Sequence, residues 1–259
     1  MLNMKITWYG TATIGIDDGK TRLIFDPFVR MNKKLETSPI EAFAGFDAVL
    51  ITHGHFDHIY SIPDLAEVDK KVPIYCTGAP KKTLVKKGVP EERIKVFGYN
   101  DVLEIGDFKI RVHQFRHIVF DPVYILSVMP RCILNFPKLF WVAYTNRTMP
   151  MGGEIVAFEI ENGGKKIFLT GSFRDCPERE FPKDIDMLIL ANGGSVFVPE
   201  KTKDFIAKYH PKKIFVDHFD DAFPPLTRDV SVERLRRTVK KNHPDIEFIK
   251  PEICEEIEL

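Results

Sequence analysis

Apolar and polar residues alternate in short runs through the first third of the chain. Residues 4–9, 13–17 and 21–25 carry the period-two pattern of strands, with Asp17-Asp18-Gly19-Lys20 as a turn between the last two. Ser38-Pro39 has the order of an N-cap followed by proline at the first helical position, which predicts a short helix to about Phe43. Residues 48–52 are almost wholly apolar, as a strand buried on both faces would be. Further strands are predicted at 72–76, 94–97, 101–105, 108–115, 154–161, 165–169, 187–190, 213–216 and 246–249. Helices are predicted at 80–87, closed by Gly88, and at 199–209 and 230–241. Strands come first in hairpins and later alternate with helices. That order predicts two mixed sheets covered by helices, an α/β sandwich spanning 1–259 as one domain.

Residues 118–150 break the rhythm. They hold Phe120, Tyr124, Phe136, Phe140, Trp141 and Tyr144, interrupted by prolines at 122, 130, 137 and 150. This insertion reads equally as an excursion packed into the core or as a lid over an apolar substrate pocket. Contact with another copy or with a membrane surface is a third reading.

Composition narrows the function. Of the 259 residues, 44% are hydrophobic and 29% charged, the balance of a globular chain long enough to bury a large core. Lys+Arg and Asp+Glu are 37 each, so no basic excess supports a general grip on nucleic acid. The start reads as a strand rather than a secretion signal, and no apolar run approaches the roughly 18 residues of a membrane span. Cys76, Cys132, Cys176 and Cys254 occur singly, with no zinc-knuckle or redox-pair spacing. A cytoplasmic location is expected, with a small-molecule partner and self-association left open.

The chemistry is concentrated in Thr52-His53-Gly54-His55-Phe56-Asp57-His58. A chance match to His-x-His-x-Asp-His is on the order of 1 in 2000 for a chain of this length. The cluster follows a buried strand directly, at the strand edge where α/β sites form. Imidazoles with one carboxylate suit borderline-soft divalent metals. Extended backbone aims His53 and His55 together, while Asp57 and His58 turn toward a second position as a helix begins. Further ligands must come from distant loops at the same edge.

This motif resembles the signature of the metallo-β-lactamase superfamily, and the order of strands and turns is similar over nearly the whole chain. Asp26-Pro27 and Gly106-Asp107 resemble the branch that includes the L-ascorbate-6-phosphate lactonases. The resemblance implies an αβ/βα sandwich with one or two divalent ions at its upper edge, zinc first and manganese or iron as the other choices. It implies that His53 and His55 join a third histidine after the strand at 108–115. His117 takes that place, with His113 as competitor. It implies that Asp57 and His58 serve a second ion with His218, which follows the strand at 213–216. His210 and His243, each before proline, read as surface residues. The superfamily usually carries a bridging aspartate in Thr-Gly-Asp. This chain has Thr170-Gly171-Ser172, so one ion, a substitute carboxylate from Asp175, Asp220 or Asp221, or an ion that arrives with substrate would account for Ser172.

The activity implied is hydrolysis of an ester, lactone, phosphodiester or amide bond by a metal-activated water, with Asp57 orienting that water or accepting its proton. The apolar insertion tilts the substrate toward a partly lipophilic one. Two alternatives stand beside it. One is a metal-dependent nuclease, which the neutral charge opposes. The other is a non-catalytic metal-binding or ligand-sensing protein, which Ser172 motivates. No serine-hydrolase elbow, phosphate-binding loop or dinucleotide fingerprint is present.

Overall fold

The computed structural model describes residues 4–147, 149 and 153–259. Strands β1 (Lys5–Gly10), β2 (Thr13–Asp17), β3 (Arg22–Phe25), β4 (Ala48–Leu50), β5 (Ile74–Cys76) and β6 (Ile94–Val96) lie side by side in chain order. A second sheet holds β7 (Val102–Ile105), β8 (Phe108–Gln114), β9 (Val156–Asn162), β10 (Lys165–Leu169), β11 (Met187–Ala191), β12 (Lys213–Asp217) and β13 (Glu247–Ile249), again side by side in sequence order. The chain then returns, and β14 (Glu256–Glu258) adds to the first sheet beside β1. Both sheets are mixed. β1, β2 and β3 run antiparallel and β3 to β6 parallel, while β7 to β10 run antiparallel and β10 to β13 parallel.

The sheets face each other, and period two sorts their side chains. Leu23 and Phe25 of β3 join the core between the sheets, where Phe25 meets Phe158 of β9 at 5.5 Å between ring centroids. Ile24 points the other way, into a core shared with helices α1 (Phe56–Ile59), α2 (Ile62–Val68) and α3 (Gly78–Lys86). Later in the chain come α4 (Pro122–Leu134), α5 (Phe136–Asn146), α6 (Val198–Tyr209) and α7 (Glu233–Asn242). The outer face of the second sheet, including Phe168 and Leu190, packs on Phe205 of α6 and Leu235 of α7. Helix, sheet, sheet, helix is the layer order that the resemblance implies. Much of the phenylalanine content is explained here: Phe115, Phe168, Phe173, Phe181 and Phe205 form one buried cluster with tilted and edge-to-face contacts.

Several predicted elements shift. The helix expected from Ser38 is a 3-10 turn, Ile40–Phe43, and Ser38 does not cap it. Helix α7 begins at Glu233, three residues after Val230, because Val230 is used elsewhere, in a small apolar cluster with Tyr124 and Val128. β14 was not expected: its alternation, Glu256-Ile257-Glu258, is too short to read alone, and pairing with β1 defines it. The hairpin at Asn162-Gly163-Gly164 forms as expected, with φ of 56° and 79° at the two glycines, as a type I′ turn requires.

The 118–150 segment folds as the α4–α5 helical pair, with residues 148 and 150 outside the described set. Asp121 caps α4 by accepting from the Tyr124 amide at 2.8 Å. Tyr124, Val128 and Val142 are buried, while Leu126, Ile133, Leu134, Phe136, Phe140 and Tyr144 are exposed. The pair is thus not an excursion into the core.

Candidate metal centre

β4 ends at Leu50 and delivers Thr52 to His58 to the edge of the first sheet, where His55 occupies the N-cap position of α1. His117 follows β8, Ser172 follows β10 and His218 follows β12, so the second sheet brings its loops to the same edge. Two groups of ligand atoms result. One atom each from His53, His55 and His117 lie within 4.8 Å of one another, and so do one atom each from Asp57, His58 and His218. The groups adjoin, because the His53 and His58 ring centroids are 3.9 Å apart.

Hydrogen bonds behind these rings settle which nitrogen faces inward. His117 Nδ1 donates to the carbonyl of Ile118 at 2.8 Å, which leaves Nε2 for the group. His58 Nδ1 stands 2.8 Å from Oδ2 of Asp26. The Thr52 hydroxyl donates to the same oxygen at 2.6 Å and accepts from His53 Nδ1 at 2.9 Å. Asp26 therefore stands behind both groups, directly through His58 and through Thr52 to His53. His53 Nε2 is left buried with no hydrogen-bond partner among the described residues. A buried ring nitrogen without a partner costs free energy unless a cation or donor meets it.

The electrostatics differ between the groups. Burial, helped by the neighbouring histidines, lowers His53 well below its usual value and brings His55 down to about 4. Burial lowers His117 as well. These three rings are neutral and open to a Lewis acid. In the second group burial acts against charge and loses. The Asp57 hydrogen bond and charge raise His218 to about 9, and Asp26 and Asp57 raise His58. Asp57 is held well below the carboxylate range: burial opposes its charge, but His58 and His218 outweigh that. Protonated His58 and His218 supply the positive charge that these carboxylates need. Neutral imidazoles in one group and a carboxylate with two imidazoles in the other fit divalent cations.

The backbone is bent to make this arrangement. Asp26 and His218 have φ of 45° and 55°, left-handed values that side chains other than glycine rarely adopt. A Cβ on Gly193 would stand 2.6 Å from His218 Nδ1, so only glycine lets that ring seat.

The other sequence candidates lie as follows. His113 is turned away and pairs with Glu159 at 2.7 Å. Ser172 lines the site cavity, and its hydroxyl accepts from the Ile118 amide at 3.1 Å. Asp220 also borders the cavity, but its carboxylate is held by Arg30 at 3.0 Å and by the Thr11 amide. Asp221 accepts from Arg131 at 2.6 Å and from the Thr227 hydroxyl. Asp175 accepts from the Cys176 amide. None of these three carboxylates joins either ligand group among the described residues. His210 pairs with Asp245 at the surface, 5.3 Å from His243 between ring centroids. Asp26 was missed as a site residue because Asp-Pro at a strand end reads as punctuation; a carboxylate at the same sheet edge as Thr52 was the available signal.

The groups open into a cavity of about 480 Å³. His55, Asp57, His117 and His218 are among its polar lining residues. Ile125, Val128 and Met129 of α4 with Phe223, Leu226 and Val230 form much of the rest. Arg228 is the only Lys or Arg among the described lining residues.

Residues 21–197 match the family model described as the beta-lactamase superfamily domain, and the chain belongs to that family. Over 263 residues, 99% of this chain and 100% of the relative, it is 24% identical to a UPF0173 metal-dependent hydrolase of Ruegeria sp.. Among solved structures it is similar to Igni18, a metallo hydrolase from Ignicoccus hospitalis, with a TM-score of 0.69 at 15% identity, covering 99% of this chain and 98% of that one. It is similar also to the metallo-beta-lactamase fold protein YhfI from Bacillus subtilis, with a TM-score of 0.68 at 17% identity and all of both chains covered. These matches carry the superfamily and its fold; the lactonase-branch resemblance rests on turn positions alone.

Proposed function

We propose that this metal-dependent hydrolase of the metallo-β-lactamase superfamily cleaves an ester, lactone, phosphodiester or amide bond in a substrate with a lipophilic part. The observation that carries this reading is one cavity lined by members of both ligand groups and by many apolar side chains. His53, His55 and His117 would hold one divalent ion, and Asp57, His58 and His218 a second; zinc is the first choice for either. Bound there, such an ion supplies Lewis acidity and lowers the pKa of water from 15.7 to about 7.

The residues of the chain then divide the work. Asp57, with Oδ2 2.9 Å from His218 Nε2, would hold a water in line or take its proton. Ser172 leaves the ligand set without a bridging carboxylate, so the cavity end keeps more positive charge and favours an anionic leaving group. Arg228 offers a guanidinium to an anionic part of the substrate. The apolar wall seats the lipophilic part and excludes water.

The test is metal content by mass spectrometry on chelator-free protein, followed by turnover of acyl esters, lactones and phosphodiesters of increasing chain length. One or two equivalents, with rates that rise with chain length, are expected. No metal, and none gained on incubation with zinc, manganese or iron, would sink the reading. Ser172 favours a second reading, a ligand sensor without turnover: it predicts bound metal and no hydrolysis on any of these substrates.

A further inference from the structure

Helices α4 and α5 are apolar on two sides. Tyr124 and Val128 of α4 and Val142 of α5 face inward, toward the metal-site cavity. On the outside, Leu126, Ile133 and Leu134 form a stripe on α4, and Phe136, Phe140 and Tyr144 recur every fourth residue on α5. Ile133 and Leu134 at the bend are 70% and 82% exposed. A helix that is apolar all round belongs in a core or in lipid, and the protein covers only one side of this pair.

No single helix among the described residues is long and apolar enough to cross a membrane. The pair together is apolar enough, but it bends by 112° at its break. Thirteen and eleven residues rise only about 20 and 16 Å, against a hydrocarbon core of about 30 Å. Such a pair can lie in a bilayer boundary without crossing it.

Charge identifies the occupant. Residues 122–153 contain Arg131, Lys138 and Arg147 and no Asp or Glu. Beside α4, a second pocket is lined by Lys33, Lys34, Lys138 and Arg131, and its one described carboxylate, Asp221, already holds Arg131. A cationic pocket next to an apolar, aromatic helix pair matches an anionic lipid surface, with acyl chains for one and phosphates for the other. A two-fold dimer through the same face would set cations against cations, with no acid on either pair to balance them. We propose that the α4–α5 pair is a docking surface for an anionic bilayer, with its outer face in the acyl boundary and Lys33, Lys34 and Lys138 on lipid phosphates. Ile125 and Met129 are half-exposed on the wall of the metal-site cavity, so a docked protein turns that cavity toward lipid. Docking rests on the surface alone; delivery of a lipid to the site rests on the hydrolase reading.

Sedimentation with vesicles tests this. Metal-loaded protein is mixed with phosphatidylcholine vesicles, or with vesicles of phosphatidylcholine and phosphatidylglycerol in equal parts. Binding to the mixed vesicles, weakened by salt, is expected. Leu134→Ser and Phe140→Ser should each weaken it about tenfold or more. Lys33→Glu, Lys34→Glu and Lys138→Glu should each weaken it at least about fivefold on the mixed vesicles. None should change metal content or circular dichroism. Failure to bind either vesicle overturns the proposal, and a dimer by light scattering that Leu134→Ser dissociates would assign the face to a second copy. Vesicle binding without turnover keeps docking and removes the hydrolase; turnover of soluble esters without vesicle binding does the reverse.

Discussion

Oδ2 of Asp57 stands 2.9 Å from Nε2 of His218, across 161 residues of sequence and the gap between the two sheets. This ion pair, with Asp26 on His58, gives each of the two rings a carboxylate that favours its protonated form.

Cation uptake at the second group must therefore displace protons. His218 titrates at about 9, so affinity there should fall about tenfold per pH unit below that value for each proton displaced. At the first group His55 titrates at about 4, and affinity should stay level down to mildly acid pH. Calorimetric titration in buffers of different ionisation enthalpy measures both; equal pH slopes at the two groups would contradict this account.

His117→Ala should cost the first ion, because the other two imidazoles cannot hold it alone. His113→Ala should leave metal content unchanged and lower stability by about 1–3 kcal/mol, since Glu159 loses its closest partner. Metal analysis and chemical denaturation separate the two. Retention of full metal by His117→Ala, with loss by His113→Ala, would reverse the assignment.

Asp26→Asn keeps the size of the side chain but weakens its hold on His58 and Thr52. A fall of about 10–100-fold in metal affinity is expected, with little change in circular dichroism. An unchanged affinity would mean that the rings need no orientation from behind.

Ser172→Asp would place a carboxylate in the cavity that both groups border. Tighter binding of a second ion is expected, with one oxygen still accepting from the Ile118 amide. Unaltered stoichiometry and affinity would show that residue 172 lies out of reach of the second group.

Asp220→Ala tests a different role. Arg30 and Asp220 form a pair whose side chains are each 5% exposed, and its loss strands a buried guanidinium. Stability should drop by about 3–5 kcal/mol. The protein that remains folded should keep its metal; loss of metal without loss of stability would make Asp220 a ligand.

Local pattern was enough for much of the framework. Period-two runs such as Arg22-Leu23-Ile24-Phe25 place strands because one face of each must be apolar, and Gly163-Gly164 marks a hairpin because its backbone needs positive φ. His53, His55, Asp57 and His58 were legible as a group because six residues of chain hold them together whatever the rest does. His117 and His218 needed the family resemblance as well, since nothing near them in sequence marks a ligand.

Tertiary structure decided what depends on contacts between distant segments. β14 exists through β1, and Asp26 reaches Thr52 and His58 only when β3 and β4 lie side by side. The carboxylates of Asp220 and Asp221 looked available in sequence, yet Arg30 and Arg131 hold them, and a charge pair leaves no trace in local pattern. The apolar 118–150 segment reads the same whether it faces a core or a bilayer, because hydrophobicity is non-directional; only the packed fold separates the covered side of α4 and α5 from the bare one.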